Sequence, residues 1–206
     1  MDVDQKSLLL RAIDRALTFD RVVMLAAHRQ LLASYPGESR ERLALRLTNG
    51  NAWKAAMSGA LTGLPSNPLV ALPAAIADTA AMIRIQVHVA ARVALLFDEN
   101  YLASDDLPYE LMLPVMGQVE SANLREPAAH GSAGVTRRLV RNVLSKESLR
   151  RLKGIMLKYF GAKVTQRALV TKTLPLIGGV IGGTWNYVEL RIVAQRSYVY
   201  FAGKAR

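Results

Sequence analysis

Cysteine is absent from the 206-residue chain. That excludes a thiol nucleophile, a disulfide framework, a thiolate zinc site and a cysteine-held iron–sulfur cluster. Histidine is nearly absent, with only His28, His88 and His130. None has a second histidine or a carboxylate at a ligand spacing that recurs elsewhere, so no metal site is expected and no cofactor motif is read. Long apolar runs are missing as well. The nearest, Pro68 to Ile83, is broken by Asp78 and Thr79, and Leu174 to Trp185 is short and glycine-rich. Neither reaches the ~20 residues of an ordinary membrane-spanning helix. The opening MDVDQK is acidic, and the first apolar run is only Leu8-Leu9-Leu10, so no secretory signal is read. The expectation is a cytoplasmic protein that meets a membrane, if at all, peripherally on its inner face.

Acidic residues are scarce where basic ones are dense. The chain carries 27 Lys+Arg against 16 Asp+Glu, a formal charge of +11. Residues 1–132 hold 12 basic and 14 acidic residues, whereas residues 133–206 hold 15 basic and only Glu147 and Glu189. The excess therefore lies in the last third, through Arg137, Arg138, Arg141, Lys146, Arg150, Arg151, Lys153, Lys158, Lys163, Arg167 and Lys172. One reading is a solvated basic helix surface. The other is an anion-binding face for nucleic acid, an anionic membrane or an acidic protein. Tyr159 and Phe160 are the only aromatics between 137 and 172, too few for a base-stacking groove.

Apolar residues reach 51%, enough for one folded domain without staples. Their spacing is helical almost throughout, which predicts an all-α bundle of about six to eight helices. Residues 3–34 read as one helix stopped by Tyr35-Pro36-Gly37, and a second runs from Ser39 to about Gly59, split by Asn49-Gly50-Asn51. A turn-rich linker, Thr62 to Pro68, leads to a helix over 69–97. That helix is apolar on every side and is expected at the centre of the bundle. A loop over 98–106 and a short helix to about Met116 follow, then a polar stretch over 122–135 without period. Basic helices are read at 136–144 and 146–160. Gly161 is expected to break the pattern before a helix over 162–172, and a long last helix runs over 176–202. The 69–97 and 176–202 helices are the expected central pair.

Two constellations carry chemistry. Arg84, His88 and Arg92 fall at i, i+4 and i+8 on the apolar 69–97 helix. They form either a narrow solvent stripe or an anion site for a phosphate or lipid headgroup. Asp78 is expected near the same stripe, and burial of such charges requires a counter-charge. The second is Pro175 with Gly178, Gly179, Gly182, Gly183 and Asn186. Glycines four apart leave a groove in which another backbone can approach closely, with the 69–97 helix as the expected partner. This groove serves either core packing or a lipid-binding hairpin, and Asn186 is expected to satisfy a partner across the packed pair. It is not a phosphate loop, because no lysine follows the glycines. His130-Gly131-Ser132-Ala133-Gly134 lacks the first glycine and the preceding strand of a serine-hydrolase elbow. No other catalytic constellation is found, so a non-enzymatic protein is expected.

Two segments carry a family resemblance. Ser58-Gly59-Ala60-Leu61-Thr62-Gly63-Leu64-Pro65 leads into Leu72-Pro73-Ala74, and Lys172-Thr173-Leu174-Pro175 leads through the glycines to Asn186. Together they resemble the EcsC family of bacterial proteins, over roughly residues 40–203, with 1–38 as an N-terminal helical extension of one 1–206 domain. Ser66 stands where the family has glycine, and Leu95-Leu96-Phe97-Asp98 lacks the family's glycine, so the chain resembles a divergent member. The resemblance implies a helical accessory protein associated with membranes and supporting transport or secretion, with a transporter or other protein as partner. It implies no reaction. The alternative is a nucleic-acid- or acidic-partner-binding protein acting through the basic 137–172 helices.

Overall fold

The computed structural model describes residues 3–18, 20–62, 68–104, 107–117, 154–165 and 175–205. Among them every regular element is helical, so the protein is an all-α helical bundle. Helix α1 (Val3–Leu17) begins with Asp4 and ends with Arg15, both favourable to the helix dipole. It buries Leu9, Ile13 and Ala16 along one face. Residues 3–34 form two helices rather than the single one expected. Asp20 is the reason: its Oδ1 accepts from the Val22 and Val23 amides at 2.9 and 3.1 Å and caps α2 (Arg21–Ser34). Gly37, at φ +75°, turns the chain after α2 as Tyr35-Pro36-Gly37 predicts.

Helix α3 (Arg40–Thr62) is capped by Ser39, whose Oγ accepts from the Arg42 amide at 3.3 Å. It runs without interruption through Asn49-Gly50-Asn51, contrary to the expected split. Gly50 faces open space, and Asn51 donates back to the Leu47 carbonyl at 2.8 Å. Leu47 and Ala52 on either side are buried. Burial of a leucine is worth about 1.5–3 kcal/mol, more than the ~1 kcal/mol that a helical glycine costs.

Helix α4 (Pro68–Leu95) opens with a proline in its first turn and is the buried centre of the bundle. It contacts α1, α3, α5 and the last helix. A 3-10 turn, Glu99–Ala103, capped by Asp98, occupies the expected loop and buries Leu102. Helix α5 (Leu107–Met116) ends at Gly117, at φ +85°. Residues 154–165 form α6, which continues through Gly161 instead of breaking there. Phe160 and Val164 on either side of that glycine are fully buried, which holds the helix together. Helix α7 (Pro175–Lys204) is the longest, at 30 residues, and opens on Pro175.

The core has two adjoining parts. Leu9, Ile13, Ile83, Leu111, Met156 and Phe201 join α1, α4, α5, α6 and α7. Leu43, Leu47, Met82, Val89 and Leu190 join α3, α4 and α7. The expected α4–α7 contact is present, but α7 packs more extensively on α3. Arg137, Arg138, Arg141, Arg150, Arg151, Lys172 and Gly63 lie outside the described residues, as do the helix expected at 136–144 and residues 146–153 of the one expected at 146–160.

Candidate functional site

Close packing at the start of α7 centres on one of its glycines. Gly178, Gly179, Gly182 and Gly183 all lie within the helix. A Cβ added at Gly183 would stand 2.9 Å from the Ala56 carbonyl oxygen and 3.6 Å from the Ala60 Cβ. The backbone that approaches this glycine therefore belongs to α3, not to the expected 69–97 helix. There α3 presents Ala56 and Ala60, small enough for the two backbones to meet.

One turn on, Asn186 is fully buried. Its Nδ2 donates to the Ala55 carbonyl at 3.1 Å and to Asp78 Oδ1 at 3.0 Å. Ser58 Oγ donates to the same Asp78 oxygen at 3.0 Å. A buried Ser58–Asp78–Asn186 network thus ties α3, α4 and α7 together. Asn186 was expected to satisfy a partner across a packed pair, and it does. Asp78 serves this network rather than the cation stripe, since Arg84 is six residues away along α4, about 9 Å along the axis.

The stripe itself is spread over separate duties. Arg84 is exposed. His88 Nδ1 lies 2.8 Å from the Arg84 carbonyl of its own helix. Arg92 is half-buried and donates from Nη2 to the Ala27 carbonyl of α2 at 3.4 Å. Burial pushes the pKa of both His88 and Arg92 down. The structure therefore aligns the three along α4 but does not gather them around a cavity. Next to Arg92, His28 is 3% exposed, with Nε2 4.0 Å from Glu99, which also accepts from Arg29 at 3.1 Å. Burial lowers the His28 pKa, opposed by Glu99 and reinforced by Arg92 and Arg29.

The outer face of α7 is the feature that sequence reading missed. Its inner line, Asn186, Leu190, Val193, Ser197 and Phe201, is buried. On the outside Trp185, Val188 and Ile192 are 56, 47 and 41% exposed, and Val199 is 66% exposed. Their spacing of three, four and seven residues makes one stripe along the helix. Beside it α5 and α6 form the other wall of an apolar groove of about 650 Å³, with Val115 and Tyr159 facing Trp185, Val188 and Ile192. Charged groups in the groove are few. Lys163 and Glu189 form an ion pair across it, largely withdrawn from solvent, and the Lys163 ammonium lies 4.4 Å from the Tyr159 ring centroid. Arg196 stands at the far end, against Gly117. A smaller cavity of about 420 Å³ lies between Leu8, Arg11 and Arg15 of α1 and Pro73 and Ile76 of α4.

Among the described residues no three His, Cys, Asp or Glu side chains cluster as metal ligands, and no helix is long and apolar enough to cross a membrane. Comparison with protein-family models, with curated proteins and with solved structures returns no match in any of the three.

Proposed function

We propose that the protein is a non-catalytic, EcsC-like accessory protein that associates peripherally with an anionic membrane or a lipidic ligand, with the outer face of α7 as its working surface. One observation carries this reading: Trp185, Val188 and Ile192 stand exposed along an open apolar groove in a chain of net charge +11. Contiguous exposed apolar surface on a folded domain marks a binding face, because water disfavours it. Tryptophan suits the boundary between headgroups and acyl chains. The basic excess adds long-range attraction, about 1 kcal/mol for each Lys or Arg held near an anionic bilayer.

Vesicle flotation tests the proposal. The wild type is expected to float with anionic vesicles and to stay bound at high salt, because apolar burial is not screened. Neutral vesicles should bind it more weakly. Val188→Asp and Ile192→Asp, both on the exposed stripe, should abolish the salt-resistant part while leaving the fold intact. No flotation on any vesicle at any salt would overturn the reading.

A further inference from the structure

We propose that the α7 groove holds one acyl chain of an anionic amphiphile, with its carboxylate or phosphate head on Arg196 and its tail running toward Trp185. The inference rests on the lipid reading above and adds the class of ligand and its direction.

Arg196 is the charge left over in the groove. Lys163 and Glu189 neutralise each other. Among the described residues no carboxylate pairs with Arg196, which is exposed. Its guanidinium lies over Gly117: a Cβ at that position would fall 2.5 Å from Nη1 and 3.1 Å from Cζ, so a side chain there would displace it. Gly117 also has φ +85°, which disfavours any other residue there. The end of α5 thus leaves room for a guanidinium at one end of a groove whose only other charges among the described residues are the paired Lys163 and Glu189. A guanidinium offers several donors to a carboxylate or phosphate, and charge-assisted bonds of this kind are the strong ones.

The dimensions fit one chain. From Trp185 to Arg196 is eleven residues, about 16 Å along a helix. One leaflet of a bilayer, half of its ~30 Å hydrocarbon core, is spanned by an acyl chain of about 15 Å. The volume of about 650 Å³ lies within the usual range for a small-molecule site. The polarity is arranged along the groove, with Trp185 at the end away from Arg196 and Val188 and Ile192 between them. An amphiphile is the ligand whose own polarity matches that order.

Tryptophan fluorescence reads both occupancy and direction. The chain has two tryptophans, so Trp53→Phe leaves Trp185 as the sole reporter. Below micellar concentrations, 11-bromoundecanoate should quench Trp185 saturably at one per chain, and 2-bromoundecanoate, which carries its bromine beside the head, should quench it less. Arg196→Gln should weaken dodecanoate binding about tenfold, and Arg196→Lys should restore part of it. The uncharged monoglyceride of the same chain should bind both forms alike. Lysophosphatidylglycerol distinguishes a lipid source from a free fatty acid: tighter binding than dodecanoate assigns the head site to phosphate, and weaker binding to carboxylate. Absence of saturable quenching, stronger quenching by the 2-bromo acid, or equal dodecanoate affinity in Arg196→Gln would each overturn the proposal. So would self-association of the chain through the groove, seen as a dimer that dodecanoate does not dissociate. Flotation of the same Trp53→Phe protein separates the two levels. Vesicle binding without dodecanoate binding refutes the acyl site alone, whereas loss of both refutes the lipid reading with it.

Discussion

Replacing Asn186 with alanine removes the amide that joins three helices. Two acceptors lose a donor: the Ala55 carbonyl, 3.1 Å from Nδ2, and Asp78 Oδ1, 3.0 Å away. The carbonyl lies inside α3 and keeps its place in the helical ladder, so its loss is that of an ordinary hydrogen bond, about 0.5–1.5 kcal/mol. Asp78 is 3% exposed, so water cannot replace the lost donor cheaply, and about 1–3 kcal/mol is expected there. Asn186 is itself fully buried, and truncation leaves a small void. The sum is about 2–4 kcal/mol, or a fall in Tm of roughly 5–15 °C for a chain of this size. Urea unfolding should show a lower midpoint at unchanged slope. A double-mutant cycle with Asp78→Ala isolates the pair and should give a coupling of about 1–2 kcal/mol. An Asn186→Ala protein within 0.5 kcal/mol of wild type, or a strictly additive cycle, would refute the reasoning.

Two glycines in long helices should respond in opposite directions. Gly50 faces open space, so Gly50→Ala should stabilise the protein by about 0.5–1 kcal/mol through helix propensity alone. At Gly183 a side chain would meet the Ala56 carbonyl, so Gly183→Leu should cost about 2 kcal/mol or more as α3 and α7 are forced apart; thermal melts of the pair check the contrast. Stability should also fall as the pH drops from about 7 toward 5. Burial holds His28 and His88 below their ordinary pKa of 6.5, so across that window the unfolded chain binds more protons than the native one and gains on it. Glu99 faces His28 and moderates the loss, while Arg92 and Arg29 add to it. Urea midpoints at pH 7.5, 6.5 and 5.5 measure this, and His28→Gln should flatten the dependence; a midpoint that is constant or rises toward pH 5 would contradict it.

What was legible in the sequence follows from how local each feature is. A long helix that is mostly apolar on all sides, as 69–97 is, belongs at the centre of a helical bundle, and α4 occupies that place. The stop at Tyr35-Pro36-Gly37 is local turn chemistry, and it appears as read. Gly50 and Gly161 do not break their helices because a helical glycine costs only about 1 kcal/mol, while the buried neighbours Leu47, Ala52, Phe160 and Val164 lie one to three residues away. Local propensity loses wherever such burial is at stake. The Asp20 cap is hard to read for the opposite reason: it is a single side chain set in an otherwise helical pattern.

The site was harder to read because it is distributed. That Asn186 needs a partner follows from an amide in a buried helix. That the partner is Asp78 joins positions 108 apart, and no spacing rule carries that. Hydrophobicity marks α4 as the central helix and so as the expected partner of the glycines, yet Ala56 and Ala60 of α3 stand against Gly183; both helices are rich in alanine, so composition does not choose between them. The open face of α7 was the least visible. Trp185, Val188 and Ile192 lie on a helix apolar on several sides, and such a pattern does not say which side is covered. Only the positions of α5 and α6 decide that. They bury Val193 and leave Ile192, its neighbour in sequence, 41% exposed, and they bring Gly117 beside Arg196. The surface proposed to bind lipid is therefore what remains of α7 after packing. Substitutions that tighten the bundle, such as Gly50→Ala, should leave vesicle binding unchanged, while Val188→Asp should remove its salt-resistant part at little cost in stability.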